Sequence, residues 1–330
     1  MSPLERAALT RFLAGLFFGP PGEDALELAG EVPELAPHLC ADLAGDHSWL
    51  FDFNVYPYAS VYLDPSGGLN APWSGFVTGV YRALGLELQA GAGLAAGDHI
   101  AAELEAVTIM LEREAQAADE VAAARARHGQ RALLFEQLLP WLPVLTHAVE
   151  RVAGRGFYGV VAALTREALF EHADALLGGE AAPAFRFPEA EDELQHFLLS
   201  GKGRGPGKAG EARAALQSLI TPARSGLFLS REDITRLGRR LELPVRFAER
   251  AFMLEALAQA AADQERLEAL FGELRREARE QREAIERWGR AHPALAPVWE
   301  DWLGKLEATD ERLLAFAKDF GAFDARDDVE

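Results

Sequence analysis

Two short stretches of the chain carry side chains that could bind a peptide. Residues 55–64 read Val-Tyr-Pro-Tyr-Ala-Ser-Val-Tyr-Leu-Asp, and residues 97–99 read Gly-Asp-His at the start of a strongly helical segment. Ring faces, a carboxylate and an imidazole can hold a peptide without the activated nucleophile or metal cage that catalysis needs. The pattern therefore favours a binding protein over an enzyme. The candidate peptide-binding residues are Tyr58, Ser60, Tyr62, Asp98, His99 and Glu103.

Other kinds of chemistry find little support in the sequence. The eight histidines are scattered without His-x3-His or His-Glu-x2-His spacing, and the single cysteine offers no thiolate pair. The chain also lacks a Gly-x-Ser-x-Gly motif. Its glycine-rich run at residues 199–210 lacks the Gly-Lys-Ser/Thr ending of a phosphate-binding loop. We therefore predict no catalytic residue, no bound metal and no cofactor.

The elements that must position these residues are helices. Apolar residues recur at helical spacing through most of the chain, and no alternating strand pattern of comparable length occurs. The first amphipathic helix carries Leu9, Leu13 and Phe17, and a Gly-Pro-Pro-Gly cluster at residues 19–22 ends it. We predict an all-α fold, a helical bundle domain followed by a second, smaller helical domain.

Glycine also indicates where the domains divide. Residues 199–212 are rich in glycine with little to bury, which is typical of a linker or an exposed loop. We predict a first helical domain at residues 1–198, a linker or loop at residues 199–212, and a helical C-terminal extension at residues 213–330. In the extension, Ser230-Arg-Glu-Asp233 is a capping box. The role of the extension stays open: it could enlarge a binding surface, form a homodimer through the helix with Trp299 and Trp302, or shield apolar surface.

The charge of the chain bears on its partners. The formal net charge is -19; residues 1–183 carry 10 Lys or Arg against 24 Asp or Glu, and residues 184–330 carry 23 against 28. Such a surface repels nucleic acid phosphates and attracts cationic peptides over about a Debye length. We therefore expect no nucleic acid partner, and the four arginines between residues 231 and 240 do not change this.

The length of the apolar runs and the single cysteine indicate the cellular compartment of the protein. The N-terminus lacks a basic stretch followed by an apolar run, and no stretch approaches 18 uninterrupted apolar residues. Cys40 cannot form an internal disulfide, and we expect it to be a small buried apolar residue. These features predict a cytoplasmic protein without membrane insertion.

Several motifs in order give the chain a family resemblance. The aromatic-x-Ser-x-aromatic-Leu element at residues 58–63, the Asp-His step followed by Glu103-Leu104, the segment Phe135 to Pro143 with its tryptophan, and Phe157-Tyr158 together resemble the TorD/DmsD family of redox-enzyme maturation chaperones. The resemblance covers residues 5–180. Ala96 stands where the family commonly has the proline of its Pro-x-Asp-His element, and Gln137 stands where it has the histidine of His-Leu-x-x-Trp.

This resemblance implies a TorD-like helical bundle and a cytoplasmic chaperone that is not an enzyme. Its partner would be an apo-molybdoenzyme subunit, held for cofactor insertion before export, often by its twin-arginine signal peptide. Asp98 would then pair with arginine, and His99 would hydrogen-bond the peptide backbone. Tyr58 and Tyr62 would stack on guanidinium groups or pack on the apolar run.

Other interpretations stay open beside these roles. Asp98 could simply be the N-cap of its own helix, His99 a surface residue and Tyr62 part of the core. Trp73, Trp141 and Phe157 are expected in the core. The protein could also be a helical scaffolding or regulatory protein that binds a different partner, or, with less support, an enzyme.

Overall fold

The structure is a computed structural model that describes residues 1–86, 97–188 and 216–327, with side chains described as far as residue 317. Helices make up the regular structure of these residues, and no β-strand occurs among them. The prediction of an all-α fold is confirmed. The glycine-rich linker predicted at residues 199–212 lies outside the described residues.

Contacts divide the chain into two compact units. The first unit contains Met1–Arg186 and Trp288–Glu300, and the second contains Phe187–Arg287 and Asp301–Glu330. The first unit is therefore built from two separate stretches of chain, because the segment Trp288–Glu300 belongs to it. The domain limits at residues 198 and 213 stay a prediction.

The first unit consists of helices of very different lengths. Among its described residues, two helical segments are π-helices, Trp49–Asn54 and Leu133–Leu138, and two short 3-10 helices span Ala36–His38 and Ala296–Trp299. Its α-helices are α1 (Pro3–Phe18), α2 (Glu23–Glu31), α3 (Leu43–Ser48), α4 (Ala59–Leu63), α5 (Pro72–Ala83), α6 (Ile100–Ala115), α7 (Glu120–Ala132), α8 (Leu139–Ala153) and α9 (Phe157–Leu177).

Helix α1 shows how sequence signals set the ends of an element. Ser2 caps its N-terminus in a capping box with Glu5, and Pro3 occupies the first helical position, where its missing N–H costs nothing. Gly19 ends the helix, as the Gly-Pro-Pro-Gly cluster predicts. The long apolar face of α1 packs along α6, and α8 packs along α9.

The core of the first unit lies around α6 and α8. Trp141 and Phe157 are buried there as predicted, whereas Trp73 is only half-buried, so its assignment to the core is wrong. The continuous helical stretch Glu120–Ala153 is long and apolar enough to cross a membrane by length and composition. Because 83% of its apolar window is buried inside the protein, this stretch is a core helix.

The second unit carries its own core and a buried set of ion pairs. Its α-helices are α10 (Pro222–Ser225), α11 (Arg231–Arg240), α12 (Arg250–Asp263), α13 (Leu267–Ala291) and α14 (Glu300–Asp327), of which α13 ends and α14 begins in the first unit. The capping box of Ser230 and Asp233 is confirmed. Arg236 of α11 pairs with Asp233 at 2.7 Å and with the fully buried Glu277 of α13 at 3.2 Å.

These pairs explain the charged sequence of α13. Glu277 and Gln281 of this helix are buried although their side chains are polar. A carboxylate can be buried there because arginines of α11 neutralise it. Trp299 and Trp302 are also buried, each within its own unit, so their rings are not available to a second copy of the chain. A homodimer stays a prediction.

Candidate peptide-binding site

The two stretches that carry the candidate residues meet in the structure. Tyr58 and His99 form an isolated antiparallel bridge. The Ala59 amide donates to the Asp98 carbonyl at 2.8 Å, and the Ile100 amide donates to the Pro57 carbonyl at 2.9 Å. These bonds join the start of α4 to the start of α6. We call this arrangement the α4–α6 junction, formed by residues 57–60 and 98–100.

Asp98 caps a helix across space. Its side chain is fully buried, and its Oδ2 accepts a hydrogen bond from the Ser60 amide at 2.9 Å in the first turn of α4. The N-cap of α6 is instead His99, whose Nδ1 accepts from the Ala101 amide at 3.1 Å. The interpretation of Asp98 as the N-cap of its own helix is therefore wrong. A carboxylate at the N-terminus of α4 is favourable because the helix end carries partial positive charge.

His99 is a buried, neutral residue, so its interpretation as a surface residue is also wrong. It is 6% exposed, and its ring meets the ring of Tyr58 edge to face with centroids 4.8 Å apart. Burial lowers the pKa of His99 to about 4, against the opposing effect of the Asp98 carboxylate. Because Nδ1 accepts a hydrogen bond, the proton of the neutral ring lies on Nε2.

Glu103 is the most deeply buried acid of the group. Its Oε2 accepts from the Trp141 indole at 3.3 Å, and the Trp141 ring lies on the Tyr62 ring with centroids 5.2 Å apart. Burial, followed by the repulsion of the nearby Asp98 carboxylate, raises the pKa of Glu103 well above its usual range. The raised pKa favours the protonated, uncharged carboxyl group, which supplies no negative charge to a client.

A tyrosine closes the junction from the side of α5. The Tyr81 hydroxyl donates to the Gly97 carbonyl at 2.8 Å, and burial together with Glu103 and Asp98 raises its pKa. Within the described part of the chain, Asp98 Oδ1 and Glu103 Oε1 are buried without a hydrogen-bond partner. A buried oxygen without a hydrogen-bond partner lowers the free energy of unfolding, so these two atoms destabilise the folded protein.

Burial limits what the predicted residues can touch. Ser60, Tyr62 and Asp98 are fully buried and Glu103 is 1% exposed, whereas Tyr58 is half-buried. A peptide can therefore reach Tyr58, the outermost residue of the group, without rearrangement of the protein. Direct contact between a client and the other five residues stays a prediction.

Sequence reasoning missed a neighbouring surface that combines exposed rings with acids. Trp49 and Phe53 are 47% and 43% exposed, and their rings stack with centroids 6.4 Å apart. Both lie on the π-helix Trp49–Asn54, which also carries the exposed Asp52, and the exposed Asp46 lies on the preceding helix α3. We call this the aromatic–acidic surface; its residues are Asp46, Trp49, Asp52, Phe53 and Tyr58.

Tyr58 links this surface to the junction. Burial raises the pKa of the Tyr58 hydroxyl, and the carboxylates of Asp98 and Asp52 add to the rise, which places the hydroxyl in the field of both acids. A buried layer of rings supports the surface from below: the His47 ring lies 4.8 Å from Phe51 and 5.5 Å from Tyr158 between centroids. The exposed rings therefore stand on a packed base. A π-helix in this position has no reliable signal in the sequence, although π-helical turns are frequent at functional sites.

A small cavity opens beside Trp49. It has a volume of about 150 Å³, and Asp46, Trp49, Leu50, Phe157 and Tyr158 are among the residues that line it. Most of the residues that line it are apolar, and the Asp46 carboxylate supplies a negative charge. A guanidinium group can bind a carboxylate and a ring face at the same time. This cavity can therefore hold one cationic or apolar side chain of a peptide.

The described residues offer little for metal binding. Among them, no group of three or more His, Cys, Asp or Glu side chains could hold a metal ion. Cys40 is exposed, so the expectation that it is buried is wrong, and its Sγ lies 3.5 Å from an Asp46 carboxylate oxygen.

Comparison with known proteins gives one family match. Residues 15–147 match the family model described as the nitrate reductase delta subunit. The matched region includes the whole aromatic–acidic surface and the α4–α6 junction. No curated protein matches the chain.

Proposed function

We propose that this protein is a cytoplasmic chaperone for molybdoenzyme maturation, because residues 15–147 match the family model of the nitrate reductase delta subunit, a family of TorD-like chaperones. Members of the family are chaperones and not enzymes, and they bind molybdoenzyme subunits. The protein would hold an apo-molybdoenzyme precursor by its twin-arginine signal peptide until cofactor insertion is complete, before export.

The observation that carries this proposal is the composition of the aromatic–acidic surface. A twin-arginine signal joins two guanidinium groups to an apolar, helix-forming run. Exposed rings such as Trp49 and Phe53 can cover the apolar run and stack on a guanidinium plane. Asp46 of α3 and Asp52 of the π-helix supply carboxylates, with which arginine can form charge-assisted hydrogen bonds. The surface thus offers aromatic rings for the apolar run and carboxylates for the two arginines of such a client.

The α4–α6 junction would act as the support of this surface. Asp98 fixes the first turn of α4, and the bridge with His99 fixes Tyr58 at its N-cap. We propose that Tyr58 contacts the client directly and that Ser60, Asp98 and His99 hold it in place. A rigid support lowers the entropic cost of ordering the binding side chains.

The charge of the region favours encounter with a basic client. Residues 1–183 carry 24 acids against 10 Lys or Arg. A field of this sign raises the association rate of a cationic peptide and weakens when salt is added. The affinity for a twin-arginine peptide should therefore fall with ionic strength.

The test is calorimetric titration of the whole protein with the twin-arginine signal peptide of a molybdoenzyme from the same genome. We expect saturable binding, weakened by about tenfold in a twin-lysine peptide because lysine cannot form the bidentate and stacked contacts of arginine. The variant Trp49→Ala/Phe53→Ala should weaken binding by a similar factor or more. Phe76→Ala is the matched control, because Phe76 is 47% exposed in the same unit but lies outside the surface.

Two results would count against the proposal. Equal affinity of the double variant and the wild type would show that the client binds elsewhere. Absence of binding for every candidate signal peptide would exclude the twin-arginine signal as the recognised segment.

A further inference from the structure

Basic side chains of the acidic first unit gather at a second cavity, away from the aromatic–acidic surface. The cavity has a volume of about 370 Å³ and is lined by Arg6 of α1, by Arg127, His128 and Arg131 of α7, and by Glu114 of α6, among others. Three of the 10 Lys or Arg in residues 1–183 thus converge on one cavity, in a region that carries 24 acids. Three cationic side chains at one cavity repel one another unless neighbouring acids or a bound anion offset their charge.

Two of the guanidinium groups are held in place by the fold. Arg127 pairs with Glu114 at 3.2 Å and with Glu120. Arg131 donates to the Leu176 carbonyl at 2.8 Å and lies over the Phe135 ring, 5.6 Å from its centroid. An arginine has five N–H donors in a rigid fork, so each group keeps donors beyond the bonds that hold it. These side chains are therefore ordered before any ligand arrives.

A buried hydrogen-bond chain fixes the acid at the cavity. The Gln130 amide donates to Glu114 Oε2 at 2.7 Å, and its oxygen accepts from His172 Nε2 at 2.8 Å. Gln130 and His172 are buried, and burial together with the Arg6 charge lowers the pKa of His172 to about 4. Neutral His172 can donate through Nε2, so the chain is satisfied and Glu114 is held toward Arg127.

The cavity lining carries excess positive charge. Three arginines and one acid, Glu114, line it, Glu120 also pairs with Arg127, and Arg6 forms no ion pair within the described part of the chain, so one positive charge is left in excess. His128 is exposed and adds a further hydrogen-bond donor or acceptor. A group of guanidinium forks with excess positive charge around a partly open cavity is the chemistry that recognises phosphate oxygens.

We propose that this cavity binds a small phosphate-bearing ligand, with Arg6, Arg127 and Arg131 on the phosphate oxygens. A volume of about 370 Å³ lies in the range of small-molecule sites and leaves room for more than one phosphate group. The acidic surface of the rest of the unit disfavours a polyanion such as nucleic acid. This inference does not depend on the proposed chaperone function, since it concerns different residues and a different ligand.

The experiment is calorimetric titration of the whole protein with inorganic pyrophosphate and, separately, with ATP, in the absence of divalent cations. We expect saturable binding of at least one probe, weakened by about tenfold in Arg6→Gln and in Arg131→Gln through loss of a charge-assisted contact. Arg6→Gln is the decisive variant, because it leaves the bonds of α7 intact. Arg125→Gln, an exposed change on the same helix that does not line this cavity, should stay within about twofold of the wild type.

The two probes also distinguish the source of the phosphate. Similar affinities would indicate that phosphate groups alone are recognised, and tighter binding of ATP would indicate that the cavity also accepts the nucleoside. Absence of saturable binding for both probes would overturn the proposal. So would an equal loss of affinity in Arg125→Gln and Arg6→Gln, because it would reveal only a diffuse positive field.

Discussion

Replacement of Glu103 by glutamine should stabilise the protein, and increasingly so as pH rises. Glu103 is 1% exposed, and burial beside Asp98 raises its pKa well above the ordinary value of 4.5. In the unfolded chain the carboxyl group ionises near 4.5, whereas in the folded protein it must keep its proton or be charged in the core. Its contribution to stability is therefore fully present below about pH 4.5 and is lost as pH rises toward the raised pKa.

The size of this pH effect on the free energy of unfolding follows from the single proton that folded Glu103 keeps and unfolded Glu103 loses. While folded Glu103 keeps its proton and unfolded Glu103 has lost it, the free energy of unfolding falls by about 1.4 kcal/mol per pH unit from this residue alone. Glutamine is neutral at every pH and similar in shape, and its amide oxygen can accept the Trp141 indole bond. The variant should match the wild type near pH 4.5 and exceed it by about 1.4 kcal/mol for each further unit.

Urea unfolding followed by tryptophan fluorescence between pH 4.5 and 7.5 would measure this difference. Other groups also titrate in this range, so the quantity of interest is the variant minus the wild type, in which their effects cancel. Glu171→Gln, an exposed change on α9, is the matched control and should show a flat difference. A flat difference for Glu103→Gln as well would refute the account of a protonated acid beneath the junction.

Three further predictions concern the junction and the core. Asp98→Ala should destabilise the protein by about 1–3 kcal/mol in urea unfolding, because the buried Ser60 amide loses its acceptor, and Asp98→Asn should cost less because an oxygen remains. His99 and His172 should titrate near pH 4 by NMR of their ring nitrogens, so their stabilising effect is present above about pH 6.5 and is lost as pH falls toward 4; titration near 6.5 would contradict their burial. Trp299→Ala should cost about 3–5 kcal/mol, since its buried ring donates to the Leu139 carbonyl, and hydrogen exchange should rise in α8; unchanged exchange would show that the segment Trp288–Glu300 does not stabilise the first unit.

Much of the fold could be predicted from local signals. The capping box of Ser230 and Asp233 and the end of α1 at Gly19 follow from the types and spacing of a few adjacent residues, and both are confirmed. The helical periodicity also predicts the burial of Trp141. Such signals act over one or two turns, so a single sequence contains them in readable form.

Features that depend on distant parts of the chain could not be predicted in this way. Asp98 stands where a helix N-cap is expected, yet its side chain caps α4, and the choice between the two helices depends on the bridge of Tyr58 with His99. The return of Trp288–Glu300 to the first unit likewise depends on long-range packing. Sequence patterns do not encode such partners directly.

In the candidate site, too, local sequence signals identify residues, whereas the burial of those residues depends on the fold. The motif residues were found because of their types, and the structure brings them together, but their burial and the protonation of Glu103 are properties of the folded core. The sequence does not single out Trp49 and Phe53, whose exposed rings depend on the π-helix that carries them.

The most direct test of the central claim is site-specific photo-crosslinking to a whole molybdoenzyme precursor. A photoreactive phenylalanine would replace Phe53 on the aromatic–acidic surface or, as control, Phe76 on α5. The account predicts a crosslink from position 53 that is lost when the signal peptide is deleted, and none from position 76. Crosslinking from position 76 alone, or equal crosslinking from position 53 with and without the signal peptide, would contradict it.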